Sequence, residues 1–437
     1  MKKIYCTDLN DYLNQEIKLQ GFVENIRDLQ YVQFLIVKDI SGKVQVTIEK
    51  NEENLELNKI VTSLTSESTV MVTGKVMENP KVKLNGLEII PTEIVVTSKC
   101  LEELPINYKD SSSALIDTRL DYRFIDLRSE KNQLVFKTQS CFVEAMREYL
   151  YQENFIEIHT PKLIGAASES GSEVFEVKYF NDKAYLAQSP QFYKQMAMAS
   201  GLDRIFEVAP AFRAEKSNSY RHATEFTSFD LEFSYINSYE DVAELEEKLL
   251  VAALTKVKEK YGEKIKELFG LEVIVPTIPF PRITLANLSE ELKKRYNYEE
   301  PKEDIGDMNS EMEKLTSKYA LEEYGHEFMF VTDYSAKKRA FYHLRENGVP
   351  QGYDLIWKGC EITTGAQREH RYEILIEQAK EKGLGEDVRF YLDFFKYGCP
   401  PHGGLGIGVD RMTMLLLGLP SLKETMFLFR GPSRLKP

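Results

Sequence analysis

The sequence predicts an α+β protein, with a small N-terminal β-barrel followed by a larger domain of long strands and helices. Three observations carry this expectation. Five short β-runs crowd the first hundred or so residues, two long strands joined by a polar loop fill 206–233, and charge-rich helical stretches flank that pair.

The barrel comes first. Residues 1–103 alternate apolar and polar positions in IKLQGFVENIRD, VQFLIVKDISG, KVQVTIEK, STVMVTGKVMENP and LEIIPTEIVVTS, with Gly or Pro breaks among them. Five such runs suit a closed barrel, and the OB-fold is the leading candidate. Its exposed face is expected to carry Arg27, Phe34 and Gln45, a cation, an aromatic ring and an amide. That mix suits single-stranded nucleic acid through phosphate attraction, stacking and base-edge hydrogen bonds, although Phe34 alone also fits a core position. Residues 104–130, with Pro105 and a serine run, read as a hinge.

Residues 131–437 form the second domain. Asn132 to Gln152 has helical periodicity, with Val135, Phe142, Met146, Tyr149 and Leu150 on one stripe, and the strand FIEIHTP then stops at Pro161. Gly165 to Ser172 is a loop by composition, with Glu169 and Glu173 in or beside it as carboxylates suited to an ammonium group. In the long strand pair, Glu207, Ala209, Ala211, Arg213 and Glu215 share one face, while Phe229, Leu231 and Phe233 form an apolar face on the second strand. Its other face holds Ser228, Asp230 and Glu232 with Phe226 among them, and an aromatic there suits stacking on a base. Lys216, Arg221 and His222 in the joining loop are placed for a polyphosphate. Asp241 to about Lys318 reads as a solvated helical excursion without chemistry. DLIWKGCEITTGAQREHRY carries Asp354, Glu361, Thr364 and Arg368, acidic oxygens with a hydroxyl that suit Mg²⁺. PPHGGLGIGVDRMTMLLLGL is a glycine-spaced strand entering an apolar helix. Gly406 and Gly408 let a nucleotide lie against backbone, and Arg411 at the helix start meets phosphate.

Composition narrows the function classes. A net charge of -13 argues against a general nucleic-acid coat protein but leaves room for a local basic patch. The five cysteines are scattered without a CxxC pair, which points to a reducing compartment and away from structural zinc. The polar start MKKIYCTDLNDYL shows no secretory signal, and the longest apolar run, around Met412 to Leu419, falls far short of the roughly 20 residues of a span. A cytoplasmic location is expected. Neither a GxxxxGK[ST] loop nor a Rossmann GxGxxG occurs.

FRAEKSNSYRHATEF resembles motif 2 of class II aminoacyl-tRNA synthetases, the helix and strand ending at Pro161 resemble motif 1, and GLGIGVDR resembles motif 3. The likeness covers nearly the whole chain and is strongest to compact archaeal and eukaryotic aspartyl-tRNA synthetases, with asparaginyl enzymes as near relatives. It implies an OB-fold anticodon-binding domain over 1–103 and, over 131–437, a class II catalytic domain whose antiparallel sheet is flanked by helices. It implies ATP in the motif 2 and 3 cleft against Arg213, Ala214, Glu215, Arg221, His222, Ala223, Phe226, Glu361, Gly408, Val409, Asp410 and Arg411. Of these, Arg213, Glu361 and Arg411 would act in catalysis. QSPQFYK resembles the aspartyl signature QSPQ-x-[YF]-K, which implies aspartate held by Glu169, Gln191, Phe192, Tyr193, Lys194, Arg213, Thr364 and Arg368. Mg²⁺ would sit on Glu361, Thr364 and Asp354, a homodimer would form through motif 1, and the anticodon would meet Arg27, Phe34, Gln45 and Glu24.

The chain also departs from the family pattern. Ser335 and Ala340 stand where prolines are common, Asp410 where glutamate is frequent, and Phe429 and Gly431 break the tail FPRDxxRLxP. Glu24 stands where discriminating archaeal-type enzymes carry a bulky aromatic. A carboxylate cannot stack and repels phosphate. The expectation is that aspartate is placed on tRNA-Asn as well as, or instead of, tRNA-Asp, supplying an amidotransferase; an ordinary discriminating enzyme stays open. So do an asparagine–tRNA ligase, a tRNA-independent paralogue and a non-catalytic tRNA-binding protein. The intact barrel argues against the second of these, and the retained Arg213, Glu361 and Arg411 against the third.

Overall fold

A computed structural model describes residues 3–166, 173–216 and 219–437, and the chain divides into two units, Met1–Asn107 and Tyr108–Pro437. In the first, β1 (Glu16–Asp28), β2 (Val32–Lys38), β3 (Lys43–Glu49), β4 (Thr69–Glu78) and β5 (Leu87–Ser98) close a barrel in the order β1-β2-β3-β5-β4. A short helix, α1 (Leu55–Ser63), joins β3 to β4. Each predicted run is a strand. The alternation is the cause: Leu35, Val37, Val44, Val46, Ile48, Val70 and Val72 all point into one buried core.

The second unit opens with α2 (Ile116–Asp121), α3 (Arg123–Asp126) and α4 (Glu130–Gln152), then β6 (Ile156–Glu157). A small side sheet of β7 (Leu163–Ile164), β8 (Glu176–Tyr179) and β9 (Asp182–Leu186) precedes α5 (Gln191–Ala199). The long pair β10 (Arg204–Phe212) and β11 (Glu225–Ser234) leads to α6 (Tyr239–Phe269), β12 (Arg282–Thr284), α7 (Leu285–Tyr296), α8 (Ser310–Tyr324) and β13 (Phe328–Thr332). A two-stranded ribbon of β14 (Arg345–Glu346) and β15 (Val349–Pro350) is followed by β16 (Gly352–Trp357), β17 (Cys360–Arg368), α9 (Tyr372–Glu381), α10 (Arg389–Phe394), β18 (His402–Gly408) and α11 (Val409–Leu416).

Among the described residues the main sheet runs β12-β13-β16-β17-β18-β11-β10-β6. It is antiparallel as expected through its centre, but the short outer strands β12 and β6 pair in parallel. One face packs Phe229, Leu231, Phe233, Leu405 and Ile407 against α4 and α6. The α4 stripe of Val135, Phe142, Met146 and Leu150 is spent in that core, with Tyr149 packed at its margin. The helix α6 starts on a capping box of Ser238 and Asp241 and stops at Gly270 in the left-handed region.

The stretch read as a hinge is folded into this unit from α2 onward. Buried Arg119 meets Asp126 at 2.8 Å and Glu424 at 2.9 Å, and Arg123 donates to the carbonyls of Glu424 and Met426. Composition showed the serine run; the partners Glu424 and Met426 lie about 300 residues downstream and were not visible from it. No described helix is long and apolar enough to cross a membrane.

Candidate active site and barrel surface

The sheet face opposite the α4–α6 core assembles residues that are far apart in sequence. Asp230 on β11 is opposite Gly406 on β18, Gly406 is opposite Thr364 on β17, and Thr364 is opposite Asp354 on β16. Glu361 joins this row through a β-bulge. Leu355 pairs with Thr363 but Ile356 pairs with Glu361, so the register slips by one residue. Without the slip Glu361 and Thr364 would face opposite sides of the sheet. With it, the Thr364 hydroxyl lies 2.9 Å from Asp354 and 3.2 Å from Glu361.

The glycines of β18 serve these carboxylates. A Cβ at Gly404 would fall 2.1 Å from the Leu231 carbonyl and 2.3 Å from Glu232 Oε2, and one at Gly406 would meet Asp230 at 3.0 Å. Gly406, expected under the nucleotide, thus makes room for Asp230. Among the described residues a Cβ at Gly408 would meet only the Arg411 Cβ, at 3.5 Å.

A cleft of about 440 Å³ lies over this row. Gln191, Lys194, Arg213, Glu215, Arg221, His222, Ala223, Phe226, Glu361, Thr364, Arg368, Gly408, Asp410 and Arg411 line it, so most of the predicted set converges. Arg213 lies over the Phe226 ring with its guanidinium carbon 5.3 Å from the centroid, and its buried Nε has no hydrogen-bond acceptor among the described residues. Arg411 donates to the Glu361 carbonyl at 2.5 Å. Burial, and then the charges of Arg411, Arg221 and Arg213, hold the His222 imidazole below its ordinary range. Burial, and then the Asp354 carboxylate, push the Glu361 carboxyl up. The end of the cleft that holds Arg213, Arg221, His222 and Arg411 is cation-rich, and the row beneath it is acidic.

Deeper in, Lys194 lies 2.8 Å from Asp230 and 3.5 Å from Glu232, and Arg368 lies 3.0 Å from Glu232. These four side chains are buried. The two cations expected to greet a substrate carboxylate are therefore already matched. Asp354 lies beneath the lining, bonded to Thr364 and paired with Arg339 at 2.5 Å.

Several expectations need correction. Phe192 and Tyr193 do not line the cleft. One turn of α5 turns Gln191 and Lys194 to the cleft, while Phe192 stacks on Tyr391 with ring centroids 4.2 Å apart. Val409 is buried in the α4–α6 core, and Ala214 donates its N–H to the Glu173 carbonyl instead of facing the cleft. The Asp410 carboxylate accepts from Gln139 and from the Thr227 N–H, tying α11 to α4 and β11. Lys216 is exposed outside the lining. Glu169 lies outside the described residues. The helical excursion does reach the cleft: Glu313 and Ser310 of α8 both bond Arg221.

Arg339 and Glu313 were not singled out in the sequence, and Asp230 and Glu232 were named on the second strand's polar face but given no role. For Asp230 and Glu232 the signal was present, since they share the parity of Phe226 on β11. For Arg339 and Glu313 it was not. At the family's lost prolines, Ser335 donates its N–H to the Gly306 carbonyl at 3.0 Å, a bond proline cannot make, and Ala340 lines the cleft. Phe429 packs with Leu120, Ala223 and Phe226, and a Cβ at Gly431 would meet its ring at 2.6 Å, so the two tail departures fit each other.

On the barrel, Arg27 is opposite Phe34, and Phe34 is opposite Thr47, next but one to Gln45. Phe34 is half-exposed and stays out of the barrel core, so the three predicted residues share the outer face. Gln45 bonds Thr47 at 3.1 Å. Glu24 occupies a bulge in β1 and pairs with Lys43 at 3.0 Å.

The profile of class II tRNA synthetases (D, K and N) matches residues 115–430. This chain belongs to the class II aminoacyl-tRNA synthetases. That makes it a ligase of the tRNA-charging class, and the OB-fold nucleic acid binding domain profile matches residues 17–97. An aspartate--tRNA(Asp) ligase of Pyrococcus furiosus is 42% identical over 441 residues, covering 99% of both chains. An aspartate--tRNA(Asp/Asn) ligase of Methanopyrus kandleri is 40% identical over 442 residues, covering 100% of both. The crystal structure of asparaginyl-tRNA synthetase from Pyrococcus horikoshii with asparaginyl-adenylate superposes with a TM-score of 0.90 at 30% identity, covering 100% of both chains.

Proposed function

We propose that this synthetase activates L-aspartate with ATP and transfers it to tRNA-Asp, to tRNA-Asn or to both. The observation that carries the reading is the buried Lys194 and Arg368 at the base of the cleft, beneath a cation-rich nucleotide end. The full-length likeness to aspartate–tRNA ligases supports it.

The aspartate α-carboxylate attacks the α-phosphorus of ATP, forming a P–O bond as the bond to pyrophosphate breaks. Arg213 holds the α-carboxylate and the α-phosphoryl oxygens, which suits a guanidinium whose buried Nε lacks an acceptor among the described residues. Adenine stacks against Phe226, with Arg221 and His222 toward the γ-phosphate and Arg411 on the leaving side. No protein nucleophile is needed, so positioning does most of the work. The terminal ribose hydroxyl of tRNA then attacks the mixed anhydride and AMP leaves. Glu361, Asp354 and Thr364 fit Mg²⁺, since two carboxylates and a hydroxyl leave positions for phosphate and water. Bound there, the ion would offset charge on the phosphates.

Arg27, Phe34 and Gln45 read the anticodon on the barrel face, with Glu24 beside them. Relatives named for tRNA(Asp) and for tRNA(Asp/Asn) lie at comparable identity, and Glu24 favours the broader reading, with an amidotransferase acting downstream on tRNA-Asn. A homodimer through the motif 1 elements and a cytoplasmic location belong to the same reading. Aspartate- and asparagine-dependent pyrophosphate exchange, followed by charging of both tRNA transcripts, tests it. Exchange with aspartate alone and charging of both transcripts are expected. Comparable exchange with asparagine would transfer the reading to an asparagine–tRNA ligase, and charging of tRNA-Asp alone, unchanged by Glu24→Trp, would end the broader tRNA reading.

A further inference from the structure

Glu313 lies in the first turn of α8, in the excursion between motifs 2 and 3, and is 3% exposed. Asn309 fixes the start of α8 by accepting the N–H groups of Glu311 and Met312, and Met312 and Ala320 are buried on its inner side. The helix therefore presents Glu313 from a rigid base. Glu313 Oε2 accepts from Arg221 Nη1 and from the Glu361 N–H, the latter at 2.9 Å, while Ser310 takes Arg221 Nη2 at 2.8 Å. The Glu361 carbonyl in turn receives Arg411. One residue of β17 thus carries two of the cleft arginines, Arg411 directly through its C=O and Arg221 through Glu313 on its N–H.

We propose that Glu313 is a positioning residue that holds Arg221 in place for the phosphates of ATP, a role that rests on reading the cleft as an ATP site. Arg221 comes from the loop between β10 and β11, beyond their last strand pair, Phe212 with Glu225. A long side chain on such a loop loses considerable rotamer freedom when it meets an anion. Glu313 and Ser310 order it beforehand and hold its Nη1 and Nη2 atoms, and a guanidinium has five N–H donors in all, so donors remain for phosphate. A plain ion pair fastening α8 would not account for the second bond of Glu313, to the main chain of the acidic residue at the centre of the site.

The test measures KM for ATP and for aspartate separately by pyrophosphate exchange in Glu313→Gln, Glu313→Ala, Arg221→Ala and the double alanine variant. Glu313→Ala is expected to raise KM for ATP about tenfold with KM for aspartate unchanged, and Glu313→Gln, which keeps an acceptor and the side-chain shape, to fall in between. If Glu313 acts through Arg221, the double variant should exceed Arg221→Ala by no more than about twofold. Normal ATP kinetics in both Glu313 variants beside an impaired Arg221→Ala, or a double variant showing the product of both losses, overturns the proposal. An Arg221→Ala enzyme with unchanged KM for ATP overturns the phosphate role of Arg221 itself, and the proposal with it. Should Glu313→Ala melt early, the near-isosteric Glu313→Gln decides by the same two constants.

Discussion

The Lys194 ammonium lies 2.8 Å from the Asp230 carboxylate, with both side chains buried under the cleft. With Arg368 on Glu232 the four charges sum to zero. Such a floor does not capture aspartate by bare positive charge. Its carboxylates hold the two cations in a fixed geometry, and on the aspartate reading it is this geometry that would tell a side-chain carboxylate from an amide.

Lys194→Met should therefore do two things at once. It removes aspartate-dependent exchange, and it leaves Asp230 buried without its cation, which costs about 3 kcal/mol or more of stability. Adding Asp230→Asn should recover most of the lost stability but none of the activity. Thermal unfolding beside exchange assays separates the effects, and a Lys194→Met protein as stable as its parent would contradict the pairing.

Arg213→Ala and Arg411→Ala should each cost on the order of 3 kcal/mol in transition-state stabilisation for adenylate formation. Both side chains are only partly buried, so the fold should persist. Near-parental activation of aspartate by either variant would sink the assignment of motifs 2 and 3.

Glu246 lies behind the sheet, where Tyr353 donates to it at 2.8 Å and burial pushes its carboxyl up to about 7 from 4.5. The folded state then binds the proton more tightly than the unfolded chain. The stability this confers is fully present below about 4.5 and is lost as pH rises through about 7. Glu246→Gln should flatten that decline, by on the order of 3 kcal/mol across the window. Unfolding followed at pH 5 and pH 8, roughly the two ends of that window, checks it; an unchanged slope argues against a buried titrating carboxyl.

Gly431→Asp should destabilise the catalytic unit by about 1–3 kcal/mol, because its Cβ would press on the Phe429 ring. Phe429→Pro together with Gly431→Asp should relieve the clash and show less than the sum of the single losses. Since Phe429 packs against Ala223 and Phe226, KM for ATP is the second readout.

Elements with a strict period were legible in the sequence. The barrel strands, the α4 stripe and the apolar face of β11 follow from alternation or helical spacing alone. The motifs named many residues that the fold brings together along one cleft. Less legible was anything that depends on pairing across the sheet: the bulge that turns Glu361 toward Thr364, and the buried carboxylates that claim Lys194 and Arg368. Phe192 and Tyr193 were misplaced because a signature names neighbours in sequence, whereas a helix sends consecutive residues in different directions. Glu313 was hidden because a charged residue on a charge-rich helix carries no mark of the partner it will meet.

β18 is the last strand of the main sheet in sequence, yet it sits between β11 and β17 at the centre. During synthesis on the ribosome, the hairpin β10–β11 and the strands β13, β16 and β17 all emerge before the piece that joins them. Until then β11 and β17 each offer a bare edge, open to the wrong neighbour or to another nascent chain. The barrel strands end at Ser98, so that unit has everything it needs far earlier. A polypeptide released after β17 but before His402 would keep a complete barrel but have two half-sheets and no cleft, which makes such truncated products natural substrates for chaperones and proteases.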